Sequence, residues 1–192
     1  MTGKRIRSLL AIVVVLAASC TKGAPPLAGD PGRAALRAAL DGKLPEFVDA
    51  DGAHGRKAWD DERQFYEQNG YRLEWSDGRK PGRDFDELVR ALKAADTEGL
   101  EPSAYRVAEL EALRSANDEF DLRATYAYLR YARDLHPSIR ANEDARSGQG
   151  PDTDLVDALQ SALSDHNVER SLRGLAPTAA QYQGLKHQLA LA

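Results

Sequence analysis

Apolar residues recur along most of this chain at spacings of three and four, the period of helices that bury one face. Leu36 and Leu40 predict a short helix over residues 31–40, closed by Gly42. Trp59, Glu62, Arg63 and Tyr66 keep helical spacing over residues 56–68, and Asn69-Gly70 supplies residues that tolerate a left-handed stop. The period then changes to two: Tyr71, Leu73 and Trp75 alternate with Arg72 and Glu74 before Ser76-Asp77-Gly78, which predicts a short strand or extended piece.

Helical spacing returns with Phe85, Leu88, Val89, Leu92 and Ala95, preceded by Asp84 and Glu87 as a capping box. Gly99 ends that stretch, with Leu100 placed for the hydrophobic contact of a Schellman turn and Pro102 blocking continuation. Val107, Leu110 and Leu113 mark a further helix. Asp118 is the expected cap of the next, where Leu122, Thr125, Tyr126, Leu129 and Ala132 recur until Pro137 in the best core helix of the chain. Residues 138–151, poor in apolar side chains and holding Asn142, Gly148 and Gly150, read as a long surface loop. Leu155, Leu159 and Leu163 resume the period; Val168 and Leu172 give a short helix stopped by Gly174. Thr178 with Gln181 forms a second capping box, opening a last helix with Tyr182, Leu185 and Leu189. The expectation is an all-α fold: a single compact multi-helix domain over residues 33–192 with one short extended segment and no internal repeat.

The first residues follow another logic. Lys4, Arg5 and Arg7 precede an apolar run from Leu9 to Ala18, which is the layout of a secretory signal. The run is about 10 residues long, whereas a span of the bilayer takes roughly 20. Cys20, the only cysteine in the chain, closes Leu16-Ala17-Ala18-Ser19-Cys20, a segment that resembles a bacterial lipobox although Ala17 holds the place where Leu is usual. The resemblance implies a signal peptide over residues 1–19, cleavage before Cys20 and lipid attachment to its thiol. The alternative is an ordinary secretory peptide with a chance cysteine nearby, but secreted chains avoid a lone free thiol. Several acyl chains anchor firmly, each buried methylene contributing ~0.8 kcal/mol. Residues 20–32, rich in Pro, Gly and Ala, then read as a flexible tether.

Composition narrows the chemistry. At 192 residues with 42% hydrophobic and 29% charged side chains, the chain suits one ordinary domain. It carries 26 basic against 30 acidic groups, and losing Lys4, Arg5 and Arg7 with the signal makes it more acidic still. No basic excess remains to neutralise a phosphate backbone, so nucleic acid is not an expected partner. After Cys20 there is no thiol to act as nucleophile, disulfide or metal ligand. His54, His136, His166 and His187 show no i, i+4 pair, and no metal or cofactor is expected. His136, before Pro137, reads as a helix-end residue. No Gly-x-Ser-x-Gly elbow occurs, and Gly148-Gln149-Gly150 lacks the lysine and the strand of a phosphate loop, so no nucleotide is expected. Carboxylates abound in Asp60-Asp61-Glu62, Glu143-Asp144 and from Asp152 to Asp157, where a glycan-cleaving pair can be imagined. Caps and helix dipoles account for Asp84, Asp118 and Asp152 without such chemistry. Tyr126, Tyr128 and Tyr131 crowd one helix; they read as core rings with hydroxyls at the rim rather than a sugar-stacking platform.

The order of motifs resembles a known family. Phe65-Tyr66, Trp75-Ser76-Asp77-Gly78, Gly99-Leu100-Glu101-Pro102 with Tyr105, the run from Thr125 through Arg130 to Ala132, and Leu175-Ala176-Pro177 with Tyr182-Gln183-Gly184-Leu185-Lys186 together resemble the scaffold domain of the bacterial murein L,D-transpeptidases. The resemblance covers roughly Trp59 to Leu189. In that family the scaffold precedes a catalytic domain whose cysteine thiolate attacks the amide between diaminopimelate and D-alanine, then passes the acyl group to a second diaminopimelate. No Ser-His-Gly-Cys run carrying that chemistry is present here. The resemblance therefore implies a non-catalytic, lipid-anchored protein of the periplasm-facing envelope. Its expected partners are the membrane and peptidoglycan or a cell-wall enzyme, with no catalytic residue of its own. The alternative is the N-terminal portion of a transpeptidase whose peptidoglycan-binding and catalytic domains are missing.

Overall fold

The computed structural model describes residues 31–76, 80–113, 117–136, 154–189 and 191. The expected signal, Cys20, most of the tether and the expected loop over residues 138–151 lie outside the described residues. Among those described, the fold is all-α with no strand, as the helical periods require. The helices are α1 (Pro31–Asp41), α2 (Glu46–Ala50), α3 (Gly52–Gln68), α4 (Arg83–Lys93), α5 (Val107–Ala112), α6 (Asp118–Leu135), α7 (Leu155–Ser164), α8 (Val168–Leu175) and α9 (Ala180–Leu189). Single 3₁₀ turns at Ala95–Glu98 and Pro102–Tyr105 join α4 to α5.

α6 is the axis. It packs against α1, α3, α4, α5, α7 and α8, and it is buried round most of its circumference, as a central helix must be. Phe120 stacks edge-on to Phe85 of α4 with centroids 4.7 Å apart, and Tyr128 meets Trp75. Each leucine sealed here, such as Leu129 or Leu159, contributes ~1.5–3 kcal/mol by leaving water. The expected tyrosine core holds: Tyr126, Tyr128 and Tyr131 are buried, and the Tyr128 hydroxyl lies 2.8 Å from Ser171 Oγ.

The period-two segment forms no strand among the described residues: Tyr71 is left-handed at φ +59°, and an isolated bridge joins Ser76 to Pro81. Its backbone donors go instead to one buried carboxylate on α6. Asp121 accepts from the Glu74 amide at 2.9 and 3.1 Å, from the Trp75 amide at 3.0 Å and from the Tyr66 hydroxyl at 2.7 Å. Tyr66 spends its one proton there, so the Thr125 hydroxyl, 2.8 Å away, donates to Tyr66 and itself accepts from Trp75 Nε1 at 2.8 Å. The result is a relay of donors from indole to carboxylate, each bond polarising the next.

Helix ends depart from expectation in instructive ways. α3 begins at Gly52 rather than Arg56, and the short α2 before it has no clear apolar period to announce it. Gly82, not Asp84, precedes α4. Asp84 and Glu87 reach another helix end: Asp84 Oδ2 lies 2.8 Å from His166 Nδ1, and Glu87, while its Oε1 accepts from Arg83 of its own first turn at 2.9 Å, accepts the Glu169 amide of α8 on Oε2 at 3.3 Å. Asn117 caps α6 by accepting from the Phe120 amide at 2.9 Å, one residue before the expected Asp118. α8 runs past Gly174 to Leu175, and the first turn of α9 closes on Ala179 rather than on a Thr178 box. The Schellman turn at Gly99 forms as expected: with φ +73° at Gly99, the Leu100 amide reaches the Ala95 carbonyl at 3.0 Å. Leu185 and Leu189, expected to face the core, are 66% and 48% exposed, since α9 is held by polar contacts of Tyr182 and Lys186 with Glu98.

One core group has no partner. Glu62, on the α3 face that carries Tyr66 a turn later, is fully buried and neither carboxyl oxygen meets a donor among the described residues. Burial, with the nearby Asp121 charge, holds its carboxyl well above the usual carboxylate range. Burial also lifts Asp121 to about 6, against the amide and hydroxyl donors that pull it down. Burial thus favours the protonated form of Glu62, whereas Asp121 has amide and hydroxyl donors for its ionised form.

The folded chain keeps a proton on Glu62 that the unfolded chain releases above its ordinary value, so stability falls as pH rises toward the folded pKa. Above the ordinary glutamate pKa the native chain should lose stability with rising pH more steeply than Glu62→Gln, which has no titrating proton at that position, by up to about 1.4 kcal/mol per pH unit. Urea unfolding of both proteins across a rising pH series checks this, and equal slopes would overturn it.

Candidate functional site

The α1–α2 connection, α2, the start of α5 and the first half of α6 enclose a groove of about 540 Å³. Phe47, Arg106, Glu109 and Arg123 line it and also line a niche of about 20 Å³ at its inner side, walled by Tyr105, Tyr126 and Arg130. The niche has room for about one water-sized group.

Two half-buried acids build these walls. Asp51, at the corner between α2 and α3, receives the Arg106 guanidinium at 2.9 and 3.3 Å and the Tyr126 hydroxyl at 2.7 Å. Arg106 needs that fixing, because its backbone is left-handed at φ +49°, a conformation costing a non-glycine residue roughly 1–3 kcal/mol. Its two-pronged bond to Asp51 holds the guanidinium pKa above its ordinary value. Asp134, further along α6, is bonded by Tyr105 Oη at 2.8 Å, His54 Nε2 at 3.0 Å and the Arg130 guanidinium. Burial pushes the Asp134 carboxyl up, but these partners outweigh it and its pKa falls below the usual value. Burial and the Asp51 contact raise the Tyr126 phenol, so it stays a donor.

Beyond these acids, Arg123 lies over the Phe47 ring at 4.7 Å and pairs with Glu119 at 3.2 Å and Glu109 at 3.6 Å, both largely exposed. Arg130 Nε is buried and makes no hydrogen bond; Asp51 Oδ2 stands 3.7 Å away.

The residues singled out from sequence scatter. His54 joins the Asp134 cluster, His166 pairs with Asp84, His136 forms the C-terminal boundary of α6, and His187 is exposed on α9. No group of three or more His, Cys, Asp or Glu suited to a metal ion occurs among the described residues. Cys20, Gly148-Gln149-Gly150, Glu143-Asp144 and Asp152 lie outside them. Of Asp60-Asp61-Glu62, Asp61 binds Arg133 at 2.5 and 2.9 Å and Glu62 is sealed in the core. The two carboxyls raised furthest, Glu62 and Asp121, have no access to a polymer. Apolar spacing does not mark the groove, although Tyr126 and Arg130 lie in the Thr125–Ala132 run and Asp51-Gly52 marks a turn.

Fold and site together define an α-helical module organised by buried carboxylates, with a polar groove on one flank. The family model described as Scaffold domain matches residues 60–189, most of the chain, and the protein belongs to that family, in agreement with its L,D-transpeptidase-like motif order. No curated protein and no solved structure matches.

Gly55 sits where the α2–α3 corner closes on the groove: a Cβ there would stand 2.5 Å from the Val48 carbonyl and 2.6 Å from the Tyr126 hydroxyl. Gly55→Ala should force Tyr126 off Asp51 and destabilise the fold by about 1–3 kcal/mol, read as a lowered denaturation midpoint.

Proposed function

We propose that this is a lipid-anchored envelope protein that serves peptidoglycan remodelling as a non-catalytic scaffold. The match over residues 60–189 supports the reading, together with the resemblance of the motif order to L,D-transpeptidase scaffolds, in which the catalytic cysteine belongs to another domain. The signal-like leader supports it, with Cys20 at its end and no other thiol in the sequence. Such a protein acts by holding a partner or the wall itself near the membrane, and the acyl groups on Cys20 set its distance through the tether.

In cells fed labelled palmitate, the native chain should take up label and partition into detergent, and Cys20→Ala should do neither; label retained by that variant refutes the anchor. The purified protein should sediment with peptidoglycan sacculi and form no 3-3 cross-links from tetrapeptide muropeptides. Cross-linked product would return it to the enzymes of the family.

A further inference from the structure

A second cleft, of about 240 Å³, opens between the C-terminal end of α1 and the outer side of α3. Of its lining, the family match covers only Asp60 and Arg63. Leu44 and Trp59 give it apolar surface. Trp59 is 4% exposed, and its indole N–H, unlike that of Trp75, donates to no described residue. A buried indole N–H ordinarily finds an acceptor, so this one is a donor left open.

The rim is mixed in sign, with Asp41 and Asp60 against Arg56 and Arg63. Asp60 and Arg63 stand one turn apart on α3, close enough to pair, yet neither makes a hydrogen bond or ion pair among the described residues. Arg56 and Asp41 are held only by contacts of 3.5 and 3.6 Å with Asp49 and Arg37, all four side chains more than half exposed.

That balance selects against ions, because a phosphate meets two carboxylates and a metal ion meets two guanidinium groups. An amino-acid zwitterion would rest on exposed ion pairs, which contribute little in water. Hydroxyls both donate and accept, so a sugar satisfies Asp60, Arg63 and the Trp59 N–H together while its C–H face covers Leu44 and the indole. The volume lies below the roughly 300–1,000 Å³ of sites for larger ligands and takes one ring. A one-ring site is weak alone and suits a polymer that presents the same ring at many neighbouring points.

We propose that the cleft between α1 and α3 binds one ring of a neutral glycan strand, its hydroxyls bridging Asp60, Arg63 and the Trp59 indole N–H. The assignment of that strand to the cell wall rests on the envelope role proposed above.

The test is a titration of the full-length protein, labelled with ¹⁵N at the tryptophan indoles, with the trisaccharide of β-1,4-linked N-acetylglucosamine, a neutral glycan free of peptide. The Trp59 signal should shift and saturate in the millimolar range, while the Trp75 signal, from an indole bonded to Thr125, stays in place. Arg63→Gln and Asp60→Asn should each weaken binding about fivefold, the loss of one hydrogen bond. Arg90→Gln, at an exposed α4 position outside the cleft, should change nothing. No Trp59 shift at about 10 mM trisaccharide, binding indifferent to Arg63→Gln, or an equal shift with alanine or inorganic phosphate would overturn the proposal. Sacculi that sediment the native protein and Arg63→Gln alike would overturn the cleft as the site and leave the wall role standing. Trisaccharide binding without sacculus binding would uphold the cleft and remove the wall role.

Discussion

A single carboxylate stands in for a missing β-strand. After a left-handed turn at Tyr71 the segment Arg72–Trp75 leaves α3 outside any helix or strand, and such a backbone must satisfy its amides or lose about 1–3 kcal/mol for each buried one left unpaired. Asp121 supplies acceptors for two successive amides and for the Tyr66 hydroxyl, and in doing so ties α3, the extended piece and α6 at one point. Trp75 then drops its ring against Tyr128 and its indole proton onto Thr125, one turn along α6 from Asp121. The other helices around α6 pack against an axis whose position that carboxylate has fixed. The cost of burying the charge is visible beside it: the Glu62 carboxyl, with no donor to sustain a second anion, is held well above the usual carboxylate range.

The same device recurs across the molecule. Asp51 joins the α2–α3 corner to α5 and α6, Asp134 joins α6 to α3 and to the 3₁₀ turn at Tyr105, Glu87 caps α8 from α4, and Glu98 holds Tyr182 and Lys186 of α9. Short helices expose many unpaired backbone ends relative to their apolar area. Glu87 satisfies one such end of α8 directly, and the other acids tie side chains of neighbouring elements, arginines and tyrosines among them, across the seams. The abundance of carboxylates, which in the bare sequence invites a hydrolytic reading, is largely spent on this joinery.

The groove is a by-product of the same construction. Asp51 and Asp134 pin Arg106, Arg130, Tyr105 and Tyr126 into one wall. Glu62 and Asp121, the carboxyls raised furthest, lie in the core rather than in that wall.

The sequence by itself determined the helices, because a helix is written in the spacing of apolar residues within a few positions: Leu36 and Leu40, Leu155 through Leu163, and the long run ending in Leu135 all fell where the period put them. It also determined the stop at Gly99, where one residue's left-handed backbone decides the turn. The order of motifs sufficed to place the chain in its family. Tertiary structure alone decided what the polar residues do. Asp84 and Glu87 look like a cap for α4 and serve α8; Tyr71 to Trp75 looks like a strand and pairs with a side chain; Leu185 and Leu189 look like core and face water. Periodicity is a local property, whereas Asp121 meets Trp75 across 46 positions and Asp51 meets Tyr126 across 75, so the partners of buried charges are set only when the helices have packed.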